Sequence, residues 1–323
     1  MHHDSVAAEP LEHRSGRALD DTNVAGAHIH DGTVGFGAAY GYGIQADFPL
    51  TRLATEGPSK RGLLRVHRGK VPCDGVVEIG RDPHPEGPAW ILEQSPAGRV
   101  VRWPGLGSFL LDAPAGVIAY EPHEAGDAGS EWEHRVLCSV ITQLLAARGD
   151  LVLHASGMVF GGRVVAFCGP SMAGKSTVAL ALARRGFELL SEDGVVVSGL
   201  PHSPLAWPGP DGIRVRERSG ETTVRRGAEI KLHPAPAMLS AVVIMGRRHA
   251  DASAVVAVGS AAAAAAIARS AAFAGAAERR LVLALAAATA ATVPTFVLHA
   301  SNDLHAFEEG ADDLAGRVVA LLT

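Results

Sequence analysis

One nine-residue stretch, Gly169-Pro-Ser-Met-Ala-Gly174-Lys175-Ser176-Thr177, restricts this chain more than anything else in it. It fits the pattern G-x-x-x-x-G-K-[ST], with the apolar run Val164–Cys168 before it and the run Val178–Gly186 after it. That context predicts a buried strand, a tight loop and a helix opening at the lysine. In such a frame successive backbone N–H groups and the positive end of the helix converge on one concavity and attract an anion. Lys175 adds a point charge for terminal phosphates, and the Ser176 hydroxyl is suited to the Mg²⁺ shell. Arg184 and Arg185 fall near the negative end of the helix, and Gly186 follows as the residue that lets the chain turn away.

A chain of 323 residues can hold one large or two ordinary domains. The net charge of −5 argues against non-specific nucleic-acid binding, and no basic run interleaved with aromatics occurs. The three cysteines, Cys73, Cys138 and Cys168, lack paired metal spacing and read as reduced thiols of a cytoplasmic protein. Met-His-His-Asp at the start has neither a basic nor an apolar signal region. The uncharged run Leu281–Asn302 is long enough to span a membrane. It is Ala/Thr-rich and broken by Pro294, so it predicts a buried helix and then a strand, with no membrane association.

Residues 1–33 are polar and aperiodic, as expected of a disordered tail, and His28-Ile-His30 within them reads as solvated rather than metal-binding. From residue 34 to 130 short alternating runs are punctuated by Gly and Pro, which predicts a small antiparallel β-rich region. Residues 131–323 form the predicted phosphate-loop domain. Its first helix, Glu131–Arg148, carries Trp132, Val136, Val140 and Leu144 on one core-facing stripe. Leu151–Phe160, the turn Gly161-Gly162 and Arg163–Cys168 read as a hairpin leading into the loop, with His154 on its first strand.

After the loop helix comes Phe187–Ser191, then Glu192-Asp193-Gly194, then another apolar run. Two adjacent carboxylates at a strand end beside a phosphate loop suit Mg²⁺ handling and base catalysis. Arg214, Arg216, Lys231 and His299 are cationic groups further along that either reach a phosphate or make surface ion pairs.

The first carboxylate follows Lys175 by only seventeen residues, so the acids lie on the very next strand. This layout resembles the C-terminal domain of the HPr kinase/phosphorylase family and, more distantly, ATP-dependent phosphoenolpyruvate carboxykinases. The residues carrying the likeness are Leu153-His154-Ala-Ser156, Gly169–Ser176 and Leu189-Leu-Ser-Glu192-Asp193. In overall layout the chain is similar to HPr-kinase-like proteins that tailor ribosomal peptides, including lasso-peptide kinases. The resemblance implies an α/β phosphate-loop fold behind a small β-rich region, with ATP and Mg²⁺ as cofactors. It implies that Gly169, Ser171, Gly174, Lys175, Ser176 and Thr177 hold nucleotide phosphates, and that Ser176, Glu192 and Asp193 manage the metal. Glu192 falls at the position of the proposed base, and His154 at that of the histidine near the γ-phosphate. A peptide or protein acceptor and assembly as a homo-oligomer are further implications.

Three positions depart from that family. Met172 stands where a second loop glycine is usual, which predicts a changed backbone angle or phosphate approach. Glu192 replaces an Asp and is one methylene longer, a displacement large enough to matter for base geometry. Pro210-Asp-Gly-Ile-Arg214 only loosely echoes the Glu-Ile-Arg-Gly signature of true HPr kinases. The leading expectation is therefore a kinase for a serine hydroxyl on a peptide or protein. A small-molecule kinase and a nucleotide-gated peptide-binding protein without transfer activity are the alternatives.

Overall fold

The computed structural model describes residues 35–53, 59–81, 90–123, 130–216, 222–225, 230–246, 254–271, 276–299, 307 and 309–323. The predicted tail, 1–33, and the His28–His30 pair lie outside these residues. Eight strands form the first sheet: β1 (Gly35–Ala39), β2 (Tyr42–Ala46), β3 (Leu63–Arg68), β4 (Val77–Arg81), β5 (Ile91–Ser95), β6 (Gly98–Trp103), β7 (Gly107–Asp112) and β8 (Val117–Pro122). Their spatial order is β1-β2-β3-β8-β7-β6-β5-β4. β5 to β8 are the expected meander. β2–β3 and β3–β8, however, pair parallel, which corrects the antiparallel expectation. A parallel pair needs a long return connection, and the alternation of side chains within each strand carries no trace of it.

The segment after this sheet runs from α1 (Ser130–Arg135) through a π-helical turn, Val136–Val140, into α2 (Ile141–Ala147). It was expected to show one apolar stripe, yet Leu137, Cys138, Ile141 and Leu145 are buried as well as the predicted residues. The reason is its position: one apolar core joins it to residues of the first sheet and to Val152, Val196 and Trp207. Trp132 anchors that core, its ring lying edge-on to Phe48 at 4.5 Å and to Tyr120 at 4.9 Å.

The second sheet is built from β9 (Leu151–Leu153), β10 (Ala155–Phe160), β11 (Arg163–Cys168), β12 (Glu188–Ser191), β13 (Val195–Ser198) and β14 (Leu205–Trp207). A two-stranded ribbon, β15 (Ile213–Arg216) with β16 (Thr222–Arg225), interrupts the sequence. β17 (Ala237–Met245), β18 (Ala254–Ala257) and β19 (Thr295–His299) then complete the sheet. β11, β17 and β19 run parallel at its centre. Helix α3 (Lys175–Ala183) and the last helix pack on one face, while α4 (Ser260–Ser270) and α5 (Ala276–Thr292) pack on the other. The last helix, α6, spans Ala311–Leu322.

α5 and β19 are the helix and strand foreseen for the uncharged run. The helix is not fully buried: Val282, Ala286 and Thr289 face inward, whereas Leu281 and Leu283 are exposed. No helix among the described residues is long and apolar enough to cross a membrane.

The two sheets meet through the β1–β2 turn. Tyr40 takes a left-handed backbone angle, φ 56°, and its N–H donates to the Pro208 carbonyl at 2.6 Å. Arg61 adds an ion pair with Asp150 at 2.5 Å and stacks over the rings of Tyr42 and Trp207. Beneath this contact Gly209 leaves no space for a side chain: a Cβ there would sit 2.0 Å from Ser191 Oγ and 3.1 Å from the Tyr40 ring. Gly209→Ala should therefore destabilise the protein by about 1–3 kcal/mol through overpacking. The measurement is the urea midpoint, which should fall at an unchanged slope.

Candidate functional site

The loop has the local structure that its sequence predicts. β11 ends at Cys168, Gly169 opens the loop, and α3 begins at Lys175. Gly169 is required by space, since a Cβ would stand 2.9 Å from that of Met245. Gly174 adopts φ 97° at the head of the helix, where no side chain caps the first turn. The first-turn N–H groups have no helical carbonyl to bind, so they are available to an anion. Met172 takes φ 67° and turns its side chain outward to 74% exposure. Met172 thus holds a backbone angle that glycine adopts more readily, at a cost of about 1–2 kcal/mol.

Lys175 is buried and folded back on its own loop. Its Nζ donates to the carbonyls of Gly169 at 3.0 Å and Pro170 at 3.1 Å, and meets His154 Nε2 at 3.1 Å. Burial lowers the pKa of this ammonium, against the pull of Asp193 in the other direction. His154 does not lie within a continuous strand as expected. The chain breaks there: β9 pairs with β13, and β10 pairs with β11 and β12. The His154 backbone N–H donates to the Ser270 carbonyl at 2.7 Å, which anchors the chain at this break.

The acids close β12 from the opposite side. Glu192 is buried, its Oε1 accepting from the Ser176 hydroxyl at 3.0 Å and its Oε2 from the Arg214 N–H at 2.9 Å. Burial, reinforced by the neighbouring Asp193 charge, pushes its carboxyl up to about 7. Asp193 sits at φ 60° and is half-buried. Burial would raise its pKa, but contacts with His134 at 3.2 Å and His154 at 3.7 Å outweigh it and hold the carboxyl well below its usual range. One carboxyl of the pair is thus kept ionised and the other is poised near neutrality.

The structure brings Lys175, Ser176, His154, Glu192 and Asp193 together. Ser171 and Thr177 lie on the loop and on the first turn of α3. Of the further cations, Arg214 binds Glu192 through its backbone. Lys231 ion-pairs with Glu188 at the start of β12, away from the acids. The Arg216 side chain lies outside the described residues. His134, which touches Asp193, Arg52, which touches His134, and Glu133, which holds the Arg52 backbone, were not foreseen. An acidic and a basic residue in the first turn of a helix look solvated, and only the packing of α1 under the first sheet buries them. All three cysteines are free thiols; Cys138 and Cys168 are buried, and burial pushes each thiol up to about 12.

No protein-family model matches the chain, and no curated protein does. Among solved structures the chain is similar to the HPr(Ser) kinase/phosphatase from Coxiella burnetii, at 12% identity and a TM-score of 0.29. That match covers 52% of this chain and 97% of the other.

The raised Glu192 pKa has a thermodynamic consequence. A carboxyl that binds its proton more tightly when folded costs stability as pH rises from its ordinary 4.5 through about 7. At pH 8 Glu192→Gln should consequently be more stable than the parent, by on the order of 2 kcal/mol. Denaturant titrations at several pH values should show this gap closing by about pH 5.

Proposed function

We propose that this chain is a Mg²⁺-dependent kinase that moves the γ-phosphoryl group of ATP onto a hydroxyl, that of a serine on a peptide or protein. The observation that carries the reading is the Glu192 carboxyl, pushed up to about 7 and hydrogen-bonded to Ser176 on the first turn of the loop helix. A base near neutral pKa within reach of a phosphate loop is what proton removal from an alcohol requires.

The donor set suits Mg²⁺. No cluster of three His, Cys, Asp or Glu side chains able to hold a metal occurs among the described residues. Mg²⁺ does not need one, since it takes one or two carboxylates and completes its shell with phosphate oxygens and water. Ser176 and Asp193 would hold it, with Glu192 adjacent. When bound, it would neutralise charge on the transferring phosphoryl group.

The chain's own residues supply the rest. The uncapped first turn of α3 and the loop N–H groups would cradle phosphate oxygens. Lys175 would turn from its loop carbonyls to the terminal phosphates. Glu192, as carboxylate, takes the proton of the acceptor hydroxyl. The acceptor oxygen forms its bond to phosphorus as the bond to the leaving ADP oxygen breaks. His154 Nε2 stands within 3.1 Å of Lys175 and 3.7 Å of Asp193 and would accept from the one or, when protonated, donate to the other. A short ribosomally made precursor peptide belongs to the acceptor class that this reading includes.

Incubation with labelled ATP and candidate peptides, proteins and metabolites tests it: label should appear on a peptide or protein serine. The transfer rate should rise with pH through an acidic limb near 7, as Glu192 becomes ionised. Glu192→Gln should lower transfer at least about 100-fold while calorimetry still shows nucleotide binding. Lys175→Ala should weaken both. Normal turnover in either variant, or label on a metabolite alone, would reject the assignment.

A further inference from the structure

Beside the acids lies a buried cation that the proposed chemistry does not use. Arg52, from the segment after β2, is fully buried, and among the described residues its guanidinium bonds to backbone carbonyls and an imidazole, not to a carboxylate. Its Nε and Nη2 donate to the Asp211 carbonyl at 3.0 and 2.7 Å, and Nη2 also to that of Gly212 at 3.3 Å. Its Nη1 is bonded to Nδ1 of His134. Burying a guanidinium without a direct counter-ion is costly, so a compensating charge has to stand nearby. Here that charge is the acidic pair, one imidazole ring away.

The contact dictates the state of the ring. A guanidinium only donates, so His134 Nδ1 must be the bare, accepting nitrogen. The ring proton then sits on Nε2, which points at Asp193 Oδ2 from 3.2 Å. The same segment is clamped to the neighbouring residue of α1. Glu133 Oε1 accepts from the N–H groups of Thr51 at 2.5 Å and Arg52 at 2.8 Å, and its Oε2 accepts from the Thr51 hydroxyl at 2.5 Å. The guanidinium and the imidazole therefore have little freedom to separate.

We infer that Arg52 and His134 are positioning residues of the phosphotransfer site. Arg52 fixes the Nε2–H tautomer of His134, and that N–H holds the Asp193 carboxylate in its left-handed backbone position. The first sheet is then part of the site's machinery, because it contributes the residue at the far end of the line Arg52–His134–Asp193–His154–Lys175. The inference rests on the proposed kinase reading for its effect on turnover, but not for the tautomer itself.

The test uses the full chain. Nitrogen-15 spectra of the imidazoles should place the His134 proton on Nε2 in the parent protein, and Arg52→Met should release that preference. His134→Phe should slow single-turnover transfer about 10–100-fold, the range seen when a partner orienting a ligand is lost. Nucleotide affinity should stay within about twofold of the parent, because neither residue touches the loop. His134→Gln, whose amide can still donate to Asp193, should recover most of the rate. A proton on Nδ1 in the parent would overturn the inference, as would folded Arg52→Met and His134→Phe proteins with parental turnover. Should either variant fail to fold, the parent spectrum decides. If the parent neither binds Mg·ATP nor transfers phosphate, the kinase reading fails while the tautomer result still stands or falls on its own.

Discussion

Glu192 and Asp193 put two carboxyl groups side by side, one buried and one half-buried, and the site is arranged around their mutual repulsion. Two such groups cannot both ionise there without help. The help is unequal. Asp193 faces two imidazoles, whereas Glu192 receives one hydroxyl and one backbone N–H. Geometry alone therefore divides the labour: the supported residue remains an anion suited to a cation, and the less supported one stays near its titration point, suited to moving a proton. The extra methylene of Glu192 fits this division. It lets the carboxyl reach back to Ser176 at the mouth of the loop from a backbone position beside Asp193.

The fold serves that corner from three directions. The break between β9 and β10 frees His154 from the sheet, and the start of α3 offers Ser176. The β1–β2 turn and the segment after β2 press in from the first sheet with Tyr40 and Arg52. Non-glycine residues with positive φ among the described residues are Tyr40, Met172 and Asp193. One lies in the loop and one is the anionic acid. The third places its ring 3.1 Å from where Gly209 would carry a Cβ, directly beneath Ser191. Each such residue costs of order 1–3 kcal/mol, and strain of this kind persists only where surrounding packing over-determines it. Among the described residues these three lie in the site or against it.

What could be read from the sequence was what is contiguous in it. The loop, its helix and the acidic pair form a local pattern, since strand, turn and helix each need only a few neighbouring residues to declare themselves. His154 could be named through resemblance, but not the break that makes it useful. Leu151–Phe160 is apolar throughout, and a change of pairing partner leaves no mark on composition. The parallel pairings β2–β3 and β3–β8 were hidden for the same reason. Arg52 and His134 are separated by 82 residues, and each looks ordinary in its own neighbourhood. Their importance comes from being buried against each other, which is a property of the packed chain and not of either segment.

Lys175 illustrates how these parts act together. Its ammonium is buried, and its bonds go to two carbonyls of its own loop and to His154, which in turn faces Asp193. Burial disfavours the charge, the acids favour it, and the loop carbonyls stabilise it in place. An arriving phosphate would offer full negative charge where the carbonyls offer only dipoles, so the exchange of partners is downhill for the lysine. His154 turns the same nitrogen, Nε2, toward Lys175 at 3.1 Å and toward Asp193 at 3.7 Å, so it serves one at a time: bare, as acceptor from the ammonium, or protonated, as donor to the carboxylate. In this arrangement the loop meets the acids through the Ser176–Glu192 hydrogen bond and the His154 imidazole, while a second imidazole, bonded to Arg52, approaches Asp193 from the other side.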